Sequence, residues 1–325
     1  MTIKVKVRAD FMSRLSHTAR IRPAAAKGAK RPRPLSIAAL LVRVTRRLQR
    51  AKLYYGHGTD NARGDAAALV WHALKLPLQP SAARWRCAVT AAQLARLNAL
   101  VARRIAGRVP VVYLTHRCWF AGLKMYVDER VLIPRSPLAE LIEREFAPWI
   151  DATRVLHIVD VGTGSGCIAI ACARAFPRAW VDALDISPEA VTVARINIRA
   201  HRLEKRVAAL KSDHFSALRR KSYDIIVSNP PYVGQSEMAS LPPEYLHEPV
   251  GALSAGTDGL DSVRVILRDA PRFLKPRGIL VVEVGNSEPL VRRSFPRLPM
   301  TWLEFSRGGS GVFLLTREQM IAVEK

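Results

Sequence analysis

Five consecutive residues, Ser228 to Tyr232, carry the side chains best suited to chemistry, in the order Ser-Asn-Pro-Pro-Tyr. The Asn229 side chain and the Pro230 carbonyl offer two hydrogen-bond acceptors, and the Tyr232 ring offers a flat apolar face. Pro230 and Pro231 stiffen the backbone, so the two acceptors can be held in one direction. This set suits binding of a planar, neutral NH2 group, because two acceptors take its two hydrogens while the ring covers its plane.

The segment that leads into these residues is predicted to be a buried strand. Residues 222–227 form a short, β-branched apolar run without its own periodicity, which is typical of a strand covered on both faces. The two prolines end the strand and leave Asn229 at the carboxyl edge of a parallel sheet, where open α/β folds bind ligands. Taken alone, the segment is equally compatible with an ordinary strand-ending turn.

A glycine-rich loop lies upstream, in the stretch Val-Asp-Val-Gly-Thr-Gly-Ser-Gly that ends at Gly166. It follows a predicted strand and opens a predicted helix. Gly162 and Gly164 permit positive φ and let the backbone approach a ligand, while Gly166 is expected to let the helix pack closely on the strand. The loop alone is weak evidence, since it also suits a nicotinamide cofactor.

The next two strand ends narrow the choice of cofactor. Asp185 ends a strand about 20 residues after the loop, where a carboxylate can accept both hydroxyls of a ribose. The following strand ends at Asp213, which can accept from an exocyclic amino group, and His214, which can stack on an adenine ring. Together with Asn-Pro-Pro-Tyr, the combination resembles class I S-adenosylmethionine-dependent methyltransferases that act on a planar nitrogen.

The reaction implied by this resemblance asks mainly for positioning. An amide nitrogen is a poor nucleophile because its lone pair is delocalised into the carbonyl. Hydrogen bonds from the NH2 group to Asn229 and Pro230 would return electron density to nitrogen, and orientation supplies up to about 7–11 kcal/mol. The methylated nitrogen loses its proton readily to water, so no strong general base is required.

Three further stretches separate the possible substrates. Residues 54–61, 126–137 and 241–249 resemble the glutamine methyltransferases of the large-subunit ribosomal protein L-three, and the resemblance runs from about residue 40 to about residue 320. The sister family, acting on peptide-release factors, usually has Arg-Pro-Asp-Thr-Glu where this chain has Arg-Ser-Pro-Leu-Ala-Glu from Arg135. It also lacks the Tyr-Gly-His-Gly stretch. Release-factor methylation and adenine methylation of nucleic acid remain the alternatives, in that order.

The resemblance also implies roles for individual residues. S-adenosylmethionine is expected to contact Gly162, Thr163, Gly164, Ser165, Gly166, Asp185, Asp213, His214 and Asn229. The target glutamine is expected to lie against Asn229, Pro230, Pro231 and Tyr232, with Asn229, Pro230 and Tyr232 acting in catalysis. His57 and His247 lack a partner at metal-ligand spacing and are expected to fix loops by hydrogen bonds; no metal site is predicted.

The surrounding pattern predicts the fold and four segments. After residue 152, strands and helices alternate, which predicts a mostly parallel, doubly wound Rossmann-like sheet, closed by an antiparallel hairpin at 302–316. We predict a basic disordered tail at 1–35, a helical substrate-recognition domain at 36–110 and a β-hairpin connector at 111–135. The methyltransferase domain is predicted at 136–325. Within the helical domain, Ser36 and Thr90 are expected to cap helices, and a further helix is expected near 65–75.

The net charge of +24 is concentrated at the front of the chain. Residues 1–110 hold 23 Lys/Arg and 3 Asp/Glu, a formal +20, whereas residues 111–325 hold 28 and 24, a formal +4. This predicts weak contact with ribosomal RNA through the front third, beside a protein substrate. A non-enzymatic RNA-binding assembly factor is a further alternative, which the intact Asn-Pro-Pro-Tyr disfavours. The four cysteines show no CxxC spacing and are expected to be reduced, as in a cytoplasmic protein. No apolar run has the length needed to span a membrane.

Overall fold

The described part of the chain begins with a group of five helices. The computed structural model describes residues 35–77, 80–219 and 222–324, so the predicted tail lies outside the described residues except for its last position. None of the described helices is both long and apolar enough to span a membrane. The first helices are α1 (Ile37–Arg50), α2 (Ala62–Leu74), α3 (Ala82–Arg86), α4 (Ala91–Ala106) and α5 (Val111–Thr115).

Local sequence signals fix the ends of these helices. The Ser36 hydroxyl accepts from the Ala39 amide at 3.2 Å and caps α1. Thr90 and Gln93 form a reciprocal capping box at the start of α4. Both caps confirm the sequence prediction. Helix α2 begins at Ala62, three residues before the predicted start, because Asn61 caps it by accepting from two backbone amides.

The connector differs from its prediction. Alternating polarity predicts a hairpin across the whole of 111–133, but the first five residues form helix α5, and all five are buried. Where every side chain is buried, alternation carries no information about the backbone, and Pro110 favours a helical start. The hairpin is limited to β1 (Cys118–Phe120) and β2 (Leu123–Met125), which turn at the predicted Ala-Gly pair.

A seven-stranded sheet follows, with the order β5-β4-β3-β6-β7-β9-β8. Its strands are β3 (His157–Val161), β4 (Trp180–Asp185), β5 (Val207–Lys211), β6 (Tyr223–Ser228), β7 (Leu274–Glu283), β8 (Thr301–Trp302) and β9 (Val312–Thr316). Strands β3 to β7 are parallel, and β9 runs antiparallel to both β7 and β8. Further helices are α6 (Leu138–Glu143), α7 (Cys167–Ala175), α8 (Pro188–Ala200), α9 (Gln235–Met238), α10 (Asp261–Phe273), α11 (Glu288–Ser294) and α12 (Arg317–Glu324).

Both faces of the sheet are buried, as the apolar run in β6 predicts. Ile225 and Val227 belong to the hydrophobic cluster on one face, and Ile226 belongs to the cluster on the other. The first cluster continues into α1, α2 and α4, so the helical segment shares a core with the sheet. Together with the antiparallel C-terminal hairpin, this confirms the predicted α/β class.

Helix α12 is absent from the prediction although its start is encoded locally. The Thr316 amide donates to the Gln319 side chain at 2.8 Å, and the Gln319 amide donates to the Thr316 hydroxyl at 3.2 Å. This is a Thr-x-x-Gln capping box. The signal is hidden because the same Thr316 also ends strand β9.

A buried arginine ties the helical segment to the loop that follows β6. Arg104 on α4 donates to Asp65 at 2.6 Å, to Glu244 at 3.2 Å and to the Tyr54 carbonyl at 2.7 Å. Glu244 also accepts from the Tyr54 amide at 2.9 Å. Arg104, Asp65 and Glu244 are all buried, so each charge depends on the others for compensation.

We expect Arg104→Met to lower the free energy of unfolding by about 3–5 kcal/mol, because Asp65 loses its cation and Glu244 keeps only a longer, 3.4 Å contact with Arg108. Urea unfolding measures this change. Arg43→Met, on the exposed face of α1, is the control and should change stability by less than about 0.5 kcal/mol. Equal effects of the two substitutions would contradict the role given to Arg104.

Candidate active site

Three strand ends bring the predicted site residues to one edge of the sheet. The glycine loop follows β3, Asp185 ends β4, and Asn229 follows β6. Strand β3 lies between β4 and β6, so the chain leaves it in opposite directions and opens a crevice there. The Ser228 hydroxyl closes the base of this crevice by donating to the Val161 carbonyl at 2.6 Å.

The glycine loop touches the Asn-Pro-Pro-Tyr segment directly. A Cβ atom on Gly162, which has a φ of +76°, would lie 3.9 Å from both the Asn229 carbonyl oxygen and the Pro230 Cα. Gly164, with a φ of +54°, has no heavy atom within 4 Å of the corresponding position. The loop is therefore packed on one side and open on the other, which is the geometry that a ligand-binding backbone needs.

Gly166 is close-packed for a different reason from the one predicted. A Cβ atom there would lie 3.2 Å from the Ala194 Cβ, which belongs to helix α8. The tight approach is between α7 and α8, and the expectation that Gly166 packs the helix on the strand is wrong. The adjacent Thr163 and Ser165 are both buried within the loop.

Asp185 fixes the glycine loop and keeps acceptor capacity. One carboxylate oxygen accepts from the Gly164 amide at 2.8 Å, and the other accepts from the Ser187 amide at 3.0 Å. The two carboxylate oxygens have four lone pairs in all, so Asp185 can still accept a hydrogen bond from a ligand. Burial raises the pKa of Asp185, and the backbone amides of Ser187, Gly164 and Ile186 oppose that rise. The geometry is compatible with the predicted contact to ribose hydroxyls.

Asp213 and His214 lie beside Asp185 at the end of β5. The amide of the preceding residue, Ser212, donates to the Asp185 carbonyl at 2.8 Å. The His214 Nδ1 atom lies 2.7 Å from an oxygen of Asp213, whose side chain is exposed. The two predicted residues therefore contact each other, and the imidazole occupies one of the acceptors that Asp213 would offer to an adenine amino group.

Asp160 lies beneath the glycine loop and was not among the predicted site residues. One of its oxygens accepts from the Thr163 hydroxyl at 2.5 Å and from the Ala169 amide at 3.1 Å. The other oxygen, Oδ1, is buried and makes no hydrogen bond with any described residue. Burial raises the pKa of Asp160 to about 7. The available signal was its position two residues before the first loop glycine.

The side chain of Asn229 is likewise left without a partner. Its Oδ1 atom is buried and accepts no hydrogen bond within the described part of the chain. Pro230 is buried, while Pro231 and Tyr232 are partly exposed. The Tyr232 ring packs on Gly285, where a Cβ atom would lie 2.8 Å from the ring, and its carbonyl accepts from the Ser287 hydroxyl at 2.8 Å. Asn229 and Tyr232 are thus held in place beside the glycine loop.

Two buried carboxylates flank this segment, and neither was predicted as a site residue. Glu283 ends β7 and accepts a hydrogen bond from the Ser136 hydroxyl; burial raises the pKa of Glu283 to about 7. Glu248 forms a two-pronged ion pair with Arg135, one prong of which measures 2.6 Å. The Arg135 guanidinium also lies over the Tyr245 ring, 5.2 Å from its centre.

The two histidines behave differently from each other. His247 Nε2 lies 2.7 Å from the Gly107 carbonyl, which confirms its expected role in fixing a loop. Neither ring nitrogen of His57 has a hydrogen-bond partner among the described residues, so the same expectation is wrong for His57. Its ring packs against Tyr245 with centres 4.5 Å apart, and burial beside Arg135 lowers its pKa to about 3, so it is neutral.

Comparisons with known proteins agree with this geometry. Residues 146–256 match the model of the methyltransferase small domain, and residues 39–115 match the model of the PrmC N-terminal domain. The glycine loop, the strand order and these matches define a class I S-adenosylmethionine-dependent methyltransferase.

The particular family follows from curated relatives. The ribosomal protein uL3 glutamine methyltransferase of Neisseria gonorrhoeae (strain ATCC 700825 / FA 1090) is 45% identical over 279 residues, covering 86% of this chain and 93% of the relative. The protein of the same name from Neisseria meningitidis serogroup B (strain ATCC BAA-335 / MC58) is also 45% identical over 279 residues, covering 86% and 92%. The chain belongs to the family of ribosomal protein uL3 glutamine methyltransferases.

The site fits its cofactor. S-adenosylmethionine carries a transferable methyl group on a cationic sulfonium, and it also carries an ammonium group and a ribose. Asp160 Oδ1 and Asn229 Oδ1 are buried acceptors to which no described residue donates a hydrogen bond, and Gly164 has an open side. Buried acceptors are normally paired, so two orphans at one sheet edge indicate a ligand with donors.

The buried Asp160 should make stability depend on pH. Its folded pKa of about 7 lies above the ordinary value of 3.8, so its contribution is complete at low pH and is lost as the pH rises from about 4 to about 7. Asp160→Asn cannot ionise. We expect the variant to gain roughly 3 kcal/mol relative to the wild type across that range.

Urea unfolding of cofactor-free protein at intervals between pH 4.5 and pH 8 measures this gain. Parallel pH profiles for the two proteins would show that Asp160 is already ionised at low pH.

Proposed function

We propose that this methyltransferase transfers a methyl group to the side-chain amide nitrogen of a glutamine in ribosomal protein uL3. The observation that carries the proposal is the buried Asn229 Oδ1, which lacks a donor beside the cofactor loop. A glutamine NH2 group supplies that donor. The names of the relatives, which describe glutamine methyltransferases of uL3, support the choice of substrate.

The proposed mechanism relies on positioning. Asn229 Oδ1 and the Pro230 carbonyl accept the two hydrogens of the amide, and the Tyr232 ring covers its plane. Both acceptors withdraw the hydrogens from nitrogen, which concentrates electron density on the attacking atom. Tyr232 is kept rigid by Gly285 and Ser287, so the slot is formed before the substrate arrives. The proton leaves to water after transfer.

The cofactor contacts are assigned in the same proposal. Residues 162–166 approach the cofactor through their backbone, Asp185 accepts from its ribose, and Asp213 with His214 borders its adenine. Asp160 joins this set because its Oδ1 atom receives no hydrogen bond from the part of the chain that the structure describes. Pro231 completes the wall of the glutamine slot together with Pro230.

The domain assignment remains a proposal of the same kind. In this proposal, the helical domain at 36–110 recognises the substrate and the methyltransferase domain at 136–325 catalyses methyl transfer. Residues 111–135 connect the two domains. The buried Arg104 supports a functional link, since it joins the first of these segments to the loop beyond Tyr232. We also infer a cytoplasmic enzyme, because ribosomal proteins are made in the cytoplasm.

The direct test offers labelled S-adenosylmethionine with three acceptors: recombinant uL3, a peptide-release factor and adenine-containing duplex DNA. We expect label on uL3 alone, with the added mass on a glutamine side chain. Asn229→Ala should lower kcat on uL3 by about 100- to 1000-fold, because it removes an acceptor aimed at the reacting group. Its affinity for the cofactor should change by less than about tenfold.

Glu204→Ala is the control and should behave as the wild type, because Glu204 is exposed just before the amino end of β5, at the edge of the sheet opposite to the site. Labelling of the release factor or the DNA in preference to uL3 would replace the proposed substrate. Activity of Asn229→Ala within a few-fold of the wild type would remove Asn229 from catalysis.

We further infer weak binding of ribosomal RNA by the basic front third. Among the described residues, Arg43, Arg46 and Arg50 lie exposed on α1, and none of the three has a carboxylate ion pair. The substrate uL3 binds RNA and is therefore expected to be basic, so like charges would repel the free protein. Positive charge on the enzyme is useful if RNA is already present on the assembling particle.

Replacing Arg43, Arg46 and Arg50 by Gln should weaken RNA binding and reduce the slope of log affinity against log salt by up to about 3, because each lost phosphate contact releases fewer counterions. The control replaces Arg199, Arg202 and Lys205 in and after α8, which are also exposed.

Deleting residues 1–35 should lower activity on an RNA-containing intermediate more than on isolated uL3. RNA binding that is insensitive to both salt and these changes would contradict the inference.

A further inference from the structure

Two aliphatic side chains are unusually exposed in the loop beyond the active-site segment. Leu246 is 85% exposed and Val250 is 67% exposed, and Tyr54 of the helical segment is 41% exposed nearby, with its ring centre 5.7 Å from that of Tyr245. We call Tyr54, Leu246 and Val250 the apolar rim. Exposed apolar groups that cluster in this way are typical of surfaces that bind a partner.

Backbone pairing places the apolar rim next to the proposed glutamine slot. Val233 directly follows Tyr232, and its amide donates to the Leu253 carbonyl at 2.9 Å. The Val233 carbonyl accepts from the Ala255 amide at 3.1 Å, so the chain runs back alongside this residue. Val250 lies three residues before that pairing. The rim therefore continues the surface that begins at Asn229.

The foundation of the apolar rim is rigid. Tyr54 has both its amide and its carbonyl held, by Glu244 and Arg104 respectively. Glu248, two residues after Leu246, is buried in its ion pair with Arg135. Leu246 therefore lies between two residues, Glu244 and Glu248, that are held in buried ion pairs, and Val250 follows two residues after Glu248. A surface that is already ordered loses less entropy when a partner binds.

The charge of this region argues for a polypeptide. Residues 222–263 contain six Asp/Glu and no Lys/Arg, in a chain of net charge +24. Because the stretch has no Lys or Arg, it has no cation of its own to offer to a phosphate backbone. Most of its carboxylates form ion pairs with basic residues from other segments of the chain. Single-stranded nucleic acid is bound by basic grooves and aromatic platforms, whereas the two most exposed side chains of the rim, Leu246 and Val250, are aliphatic and uncharged.

We propose that the apolar rim is the docking surface for the polypeptide that flanks the target glutamine, with Leu246 and Val250 binding apolar side chains of the substrate. The proposal rests on the proposed function and adds the surface that positions the substrate chain. In this arrangement Asn229 selects the amide, and the rim selects the loop that carries it. The partner is a protein segment that has apolar residues close to an exposed glutamine.

The test compares Leu246→Ser, Val250→Ser and the double variant with the wild type, using recombinant uL3 as the substrate. Each single substitution should raise the KM for uL3 by about tenfold, because burial of one aliphatic side chain is lost. The kcat at saturating uL3 and the affinity for S-adenosylmethionine should stay within about twofold. Both residues are exposed, so thermal unfolding should not change.

Trp180→Ser is the matched control. Trp180 is 60% exposed at the amino end of β4, on the edge of the sheet opposite to the site, and its loss should leave KM unchanged. A KM for the double variant within twofold of the wild type would overturn the proposal. So would loss of a wild-type dimer in the double variant without a change in KM, since the rim would then serve self-association.

The proposed function can fail separately from this inference. If wild-type enzyme does not methylate uL3 at all, the substrate assignment is wrong. If it methylates uL3 and the rim variants do so with the same KM, only the docking surface is wrong.

Discussion

A buried amide oxygen without a donor is the feature around which this structure is arranged. Leaving such an acceptor unpaired costs about 1–3 kcal/mol, so Asn229 Oδ1 has to be held in place by the rest of the fold. The strand β6 ends at two prolines, which prevent the backbone from turning to supply a donor. Ser228 fixes the strand end to Val161, and Gly162 packs behind the next residue. The unpaired oxygen therefore lowers the stability of the free enzyme, and a hydrogen bond from a substrate NH2 group would recover that free energy.

The same principle explains the buried charges around the site. Arg104 and Arg135 each form an ion pair with a glutamate of the loop after β6. Both arginines belong to an earlier part of the chain. Buried ion pairs of this kind contribute little net stability compared with apolar packing, but breaking one is costly. They therefore fix where the loop lies more than how stable the protein is. A loop in one fixed position is what an enzyme needs if the loop orients a large substrate.

The sequence predicted the parts of the site that are continuous along the chain. The glycine loop, Asp185 and the Asn-Pro-Pro-Tyr segment each have a local pattern, and the parallel sheet brings their ends together without further information. Asp160 and Glu283 were missed because each lies inside an apolar strand, where a single acidic residue has no distinctive spacing. Their role depends on the end of the strand at which they lie.

The long-range contacts were beyond prediction for a related reason. The partners of Arg104 are separated from it by 39 residues in the case of Asp65 and by 140 residues in the case of Glu244. No local pattern encodes such a pairing. Helix α5 was missed because full burial removes the polar–apolar alternation on which the prediction depends. Helix α12 could have been found, since Thr316 and Gln319 form a recognised capping pair.

The most direct test of this account is a crystal structure of the enzyme with S-adenosylhomocysteine and a glutamine-containing uL3 peptide. We expect a hydrogen bond of about 2.7–3.2 Å from the glutamine side-chain nitrogen to Asn229 Oδ1, and a second one to the Pro230 carbonyl. The Tyr232 ring should cover the amide plane. A glutamine side chain bound elsewhere, with Asn229 Oδ1 paired to a protein group or to the cofactor alone, would contradict it.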